Sequence, residues 1–81
     1  MKQNINNESK IVAGYKQTRR ALSGGEADKV IIARDAEEKV TAPLIRLCEA
    51  SGVKAEFVDT MRELGDLCGL EVKASSAVVL K

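Results

Sequence analysis

Histidine and tryptophan are absent from this 81-residue chain, and proline, tyrosine and phenylalanine occur once each, as Pro43, Tyr15 and Phe57. Without histidine the chain lacks the commonest general base near neutral pH and the commonest zinc ligand. The two cysteines, Cys48 and Cys68, form no C-x-x-C pair. A zinc site would need carboxylates to complete it, so neither metal nor cofactor is expected. Both cysteines lie among leucines at helical spacing and read as small buried hydrophobes, and a disulfide is disfavoured in a reducing compartment. Long apolar stretches are missing as well. The longest runs are four residues, such as Val30-Ile31-Ile32-Ala33, against the ~20 needed to span a bilayer. No charged start followed by an apolar stretch marks a signal peptide. The expectation is a cytoplasmic protein with no membrane partner. A chain this short accommodates a single domain over residues 1–81 with one small core. An enclosed catalytic cavity is therefore not expected, nor an enzyme activity or a small-molecule substrate. The carboxylate groupings Asp35/Glu37/Glu38 and Asp59/Glu63 read as solvated or helix-capping groups rather than an acid–base pair.

What is present is a balanced, globular composition: 44% hydrophobic and 31% charged residues, with a net charge of +1. The charge is unevenly spread. Residues 1–25 carry five cations and the single acid Glu8, a net +4, while residues 26–81 carry eight cations and eleven acids, a net −3. From Ser9 to Gly25 there is no acid at all. Such asymmetry can draw an anionic partner to one face of a nearly neutral molecule; a solvated basic helix is the competing explanation.

Residues 1–8 are polar and read as frayed or loosely helical. Ile11-Val12-Ala13 is a short apolar run, a candidate first strand. Gly14 then opens a helical segment to about Ser23, with Ala21 and Leu22 as its apolar surface and Lys16, Arg19 and Arg20 able to share another face. Gly24-Gly25 ends it, glycine accepting the left-handed conformation common at helix C-termini. Lys29–Ala33 is β-branched and continuous, the pattern of a strand covered on both faces. Residues 34–39 read as a polar loop. Thr41-Ala42-Pro43 predicts the start of a second helix, with threonine as cap and proline in the first turn. Its apolar stripe is Leu44, Ile45, Leu47 and Cys48, and Ser51-Gly52 is its stop. Ala55–Val58 is the next strand. Thr60-Met61-Arg62-Glu63 fits a capping box. It opens a helix with Met61, Leu64, Leu67 and Cys68 as buried stripe and Gly69 as stop. Gly65 inside that helix costs about 1 kcal/mol relative to alanine, which points to close packing there. A loop over residues 70–75 leads to a last strand, Ser76–Leu80. Strands and helices alternate, so the fold class is α/β, with helices on both faces of a mixed or parallel sheet.

The segment Gly14-Tyr15-Lys16-Gln17-Thr18-Arg19-Arg20 carries the most specific chemistry. Glycine at a helix start permits close backbone approach and leaves free amide N–H groups, which with the helix dipole favour an anion such as a phosphate. Lys16 and Arg20 are four apart and share a face, with Gln17, both donor and acceptor, beside them. Lysine and arginine suit the O6/N7 edge of guanine, but RNA exposes that edge only where its groove is widened. From these residues alone, RNA binding and a solvated basic helix both remain open.

Four motifs in order extend this picture: Gly14-x-Lys16-Gln17-Thr18-x-Arg20-Ala21-Leu22, Val30-Ile31-Ile32-Ala33-x-Asp35-Ala36, Glu63-Leu64-Gly65-x-x-Cys68-Gly69, and Leu70-Glu71-Val72 before the last strand. In this the chain resembles the kink-turn-binding ribosomal protein superfamily of the L-seven-Ae and L-thirty-e type, its short bacterial YbxF-like members in particular, from about Ser9 to Leu80. The resemblance implies a three-layer α-β-α sandwich with a central mixed four-stranded sheet, no enzyme activity, and a monomer that binds kink-turn RNA, in ribosomal RNA or a riboswitch. By that likeness Gly14 approaches the RNA backbone, while Lys16, Gln17 and Arg20 contact guanine edges and phosphates beside tandem sheared G·A pairs. The loop with Leu70, Glu71, Val72, Ala74 and Ser75 meets a flipped-out nucleotide, and Glu37 matches a position that touches RNA in some members. Archaeal and eukaryotic members usually carry Asn-Glu where this chain has Lys16-Gln17, and lysine at Arg20. Tyr15 stands where the family usually has a small residue, able to stack on a base or to cover the core edge. A protein-interaction module on the same fold, without an RNA role, is the rival reading.

Overall fold

In the computed structural model, residues 11–81 are described; the expected fraying of residues 1–8 lies outside them. Among the described residues four strands and three helices alternate. They are β1 (Ile11–Ala13), α1 (Tyr15–Ser23), β2 (Ala27–Ala33), α2 (Glu38–Ser51), β3 (Lys54–Val58), α3 (Met61–Leu67) and β4 (Ser76–Leu80). The sheet order is β1-β4-β2-β3. β4 runs antiparallel to both β1 and β2, while β2 and β3 are parallel, so the sheet is mixed.

The strand pleat divides the interior into two cores. Val30 and Ile32 of β2 join Val78 of β4 on one face, where α1 contributes Ala21 and Leu22 and α2 contributes Leu44 and Cys48. Ile31 and Ala33 join Ala77 and Val79 on the other face, under Leu64 of α3 and Ala74. The continuous apolar run of β2 is thus buried on both sides, as expected of a central strand covered by helices. Cys48 and Cys68 lie against different cores and are free thiols. Burial pushes both thiols up, Cys48 with a smaller contribution from neighbouring Glu49, so each is kept protonated.

Several boundaries differ from the sequence expectation. α2 begins one turn early, with Glu37 as N-cap, and Pro43 lies inside it. The proline removes one hydrogen bond, but the turn before it is held by the Val40 and Thr41 N–H groups, both donating to the Glu37 carbonyl. Thr41 does not cap; its hydroxyl donates back to the Glu38 carbonyl at 3.5 Å. β2 starts at Ala27 because that residue pairs with Leu80 across a register shift before Lys29, a long-range pairing with no local signal. The end of α1 falls at Gly24-Gly25 as expected, with Gly25 at positive φ. Leu67, expected in the buried stripe of α3, is 53% exposed. It is the last residue of the seven-residue α3 and borders an open hollow over the sheet with Ile31, Phe57, Val58 and Val79.

Candidate nucleic-acid interface

β1, β2 and β3 all run in one direction against β4. Their C-terminal ends lead into the segments carrying Gly14, Glu37 and Thr60, and the loop over residues 70–75 enters β4 at the same end of the sheet. In open α/β sheets ligand sites gather at this edge. Hydrogen bonds tie the segments together there. The Gly14 N–H donates to the Ser76 carbonyl at 2.8 Å, the Ala33 N–H to the Ser75 carbonyl at 3.1 Å, and the Ala74 N–H to the Met61 carbonyl at 3.1 Å.

α1 starts on Gly14 at φ +117°, ψ +147°, a conformation open to glycine and strained for any residue with a Cβ. A Cβ there would meet only the Gln17 side chain, at 3.7 Å, so the backbone angle and not crowding requires the glycine. Among the described residues no side chain caps this helix, and its first turn holds no acid. The N–H groups of Tyr15, Lys16 and Gln17 therefore lack a helical acceptor. One face of α1 is buried through Thr18, Ala21 and Leu22. Lys16, Gln17, Arg19 and Arg20 are all exposed. Lys16 and Arg20 line one shallow depression together with Tyr15, Arg19 and Ser23. Gln17 and Arg20 border a second hollow beside Glu26. Among the described residues three ion pairs form, Lys29–Glu56, Lys54–Glu56 and Arg34–Asp59, and none engages a cation of α1. Tyr15 is half-buried and packs against the first core, with its remaining surface in the basic depression.

The loop is fixed from beneath. α3 ends in a Schellman motif: the Leu70 N–H donates to the Gly65 carbonyl at 2.9 Å and the Gly69 N–H to the Asp66 carbonyl at 3.0 Å, with Gly69 at φ +76°. Gly65 packs so closely under the loop that a Cβ would stand 2.1 Å from the Val72 carbonyl oxygen, which explains a glycine inside a helix. Val72 and Leu70 are 68% and 39% exposed, Glu71 is exposed and Ser75 half-buried. Ala74 is buried in the second core, so it supports the loop and adds no surface. Glu37, at the start of α2, is exposed.

Three features of this edge have no local sequence signal. The Asp35 carboxylate accepts the Met61 N–H at 2.8 Å across 26 residues, tying the β2–α2 turn to the start of α3. Arg62 and Lys73 flank Val72 and Glu71 around a further shallow hollow. Thr18 and Ser76 are fully buried and hydrogen-bonded to each other. The carboxylates expected to cap do so at Asp35 and Glu63. Among the described residues no group of three or more histidine, cysteine, aspartate or glutamate side chains is placed to hold a metal ion, and no helix is long and apolar enough to cross a membrane.

Fold and edge define an α-β-α sandwich whose exposed candidate side chains are cationic, amide-bearing and apolar. Residues 2–81 match the Ribosomal protein L7Ae/L30e/S12e/Gadd45 family, and the chain belongs to it. It is 44% identical to RNA-binding protein TTE2299 of Caldanaerobacter subterraneus over 68 residues, 84% of this chain and 83% of that protein. It is 39% identical to RNA-binding protein YbxF of Geobacillus stearothermophilus over 72 residues, 89% of this chain and 88% of that one. The Giardia lamblia 15.5kD RNA binding protein superposes with a TM-score of 0.84 at 28% identity, over 94% of this chain and 63% of its own.

Proposed function

We propose that this chain is an RNA-binding protein that recognises and stabilises kink-turn RNA, a bulged helix bent beside tandem sheared G·A pairs. The observation that carries the reading is the meeting, at one sheet edge, of an uncapped cationic helix start and a loop presenting Leu70 and Val72. The names of the relatives, RNA-binding proteins at 39–44% identity, support the same class of partner.

In this reading the start of α1 enters the groove opened at the G·A pairs. Lys16 and Arg20 donate to guanine O6/N7 edges and phosphates, and Gln17 both donates and accepts. The free first-turn amides and the helix dipole favour a phosphate beside Gly14. Leu70 and Val72 offer apolar surface to the flipped-out nucleotide, with Glu71, Ser75 and Glu37 as its polar rim and Ala74 holding the loop from below. The protein binds the bent conformer better than the straight one, so it displaces the RNA equilibrium toward the bend. No step requires bond chemistry, metal or cofactor. The partner would be a kink-turn of ribosomal RNA or of a riboswitch, bound by one protein molecule.

Competition between a kink-turn oligonucleotide and a duplex lacking the G·A pairs tests this. Preference for the kink-turn is expected. Equal, weak, salt-sensitive binding to both would leave only electrostatics and turn attention to a protein partner on the same fold.

A further inference from the structure

We infer that Thr18 and Ser76 form a positioning junction that holds α1 at a fixed separation from the 70–75 loop, and that this junction sets the selectivity of the interface for bent over straight RNA. The inference rests on the RNA-binding reading above. Thr18 is the one member of the Lys16–Arg20 segment that turns inward, and it is fully buried, as is Ser76. A buried hydroxyl is costly unless it is bonded, and valine would fill the Thr18 position with the same shape.

The hydroxyls are bonded in a closed ring. Ser76 Oγ donates to Thr18 Oγ1 at 3.4 Å, and Thr18 Oγ1 donates to the Gly14 carbonyl at 2.7 Å. The Gly14 N–H returns to the Ser76 carbonyl at 2.8 Å. Both amide groups of the glycine that opens α1 are thus engaged, which holds it at its positive φ. The ring spans 58 residues of sequence and joins the two elements that would touch RNA. Thr18 directly follows Lys16-Gln17, and Ser76 directly follows the loop.

Straight and bent RNA make different demands on such a joint. Long lysine and arginine side chains reach the phosphates of any duplex, whatever the angle of α1. Only a bent RNA offers an opened groove and a flipped nucleotide at one separation, which the protein must match. Loosening the ring leaves the charges in place and removes the match.

The test compares wild type, Thr18→Val, Thr18→Ser and Ser76→Ala, each checked for folding by circular dichroism. Each is titrated with a kink-turn oligonucleotide and with a straight duplex of equal length. Thr18→Val and Ser76→Ala should lose about tenfold in the ratio of the two affinities, the order expected from one buried hydrogen bond. Affinity for the straight duplex should stay within about twofold, since non-specific binding follows the phosphate charges. Thr18→Ser, which keeps the hydroxyl, should retain the wild-type ratio. Faster amide exchange at Gly14 in Thr18→Val is the expected RNA-free signature. A wild-type ratio in Thr18→Val, or an equal loss on both RNAs, overturns the junction while leaving the kink-turn reading intact. A wild type that does not discriminate overturns the reading, and the junction's role with it.

Discussion

Helices α1 and α3 begin in opposite ways. At α3 the Thr60 hydroxyl accepts the Glu63 N–H at 3.0 Å, the Glu63 carboxylate accepts the Thr60 N–H at 3.3 Å, and Asp35 accepts the Met61 N–H. The Met61 and Glu63 donors of its first turn are met from within the protein, and an acid faces the positive end of the helix dipole. At α1 the cap is a glycine, and the first turn holds Lys16 and no acid, with Arg20 in the last turn. Glycine in place of a serine or threonine cap costs only about a few tenths of a kcal/mol, and a cation in the first turn adds a comparable penalty. The difference shows two uses of one local geometry. The α3 start is a structural joint, while the α1 start carries unmet donors and positive charge that an anionic partner would satisfy.

That contrast can be broken from either side. The largest effect is expected on the structural side, from Gly65→Ala. Its Cβ would meet the Val72 carbonyl at 2.1 Å, a backbone atom that cannot swing aside. A loss of about 3 kcal/mol in urea denaturation is expected, the upper range for overpacking, together with weaker RNA binding as the loop shifts. Wild-type stability would show that the loop yields freely. On the α1 side, Lys16→Ala and Arg20→Ala should each weaken kink-turn binding by about 1–3 kcal/mol and lower the salt slope by about one, with melting temperature nearly unchanged. Full affinity in both variants removes the site assignment. Thr60→Ala should do the reverse, lowering stability by about 1 kcal/mol with RNA affinity kept. The smallest effect concerns the cysteines. Both folded thiols are raised by burial, so above the ordinary thiol value of about 8.5 the unfolded chain has released protons the folded one still holds. Stability then falls as pH rises through that region, and Cys48→Ala should flatten the fall in denaturation curves between about pH 8 and 10. An unaltered slope would show that burial of Cys48 does not govern it.

Much of the fold was legible because its signals are local. The β-branched run Val30–Ala33 marked the central strand, the Thr60–Glu63 box marked a helix start to the residue, and glycines marked the helix ends. The misjudged features are those that neighbours in space decide. Pro43 looked like a first-turn residue, yet the Glu37 carbonyl supports a turn before it. Leu67 has the spacing of a core residue, yet it borders an open hollow over the sheet. Ala74 belonged to a stretch expected to offer surface, yet it is buried with Leu64 in the second core. At the candidate interface, exposure of Lys16, Gln17 and Arg20 followed from helical spacing with Ala21 and Leu22. The Asp35–Met61 and Thr18–Ser76 links could not be anticipated, because polar side chains far apart in sequence carry no mark of their partner.

Alternation of apolar stretches with glycine stops, and the net positive charge of the first 25 residues, were written in the order of amino acids. They bounded the answer to a small α/β domain with a cationic early helix. Only folding decided that this helix start, the Glu37 turn and the 70–75 loop share one edge. Three parallel strand ends and the entry to an antiparallel fourth converge there. Such convergence comes from strand order, which no local stretch of sequence encodes.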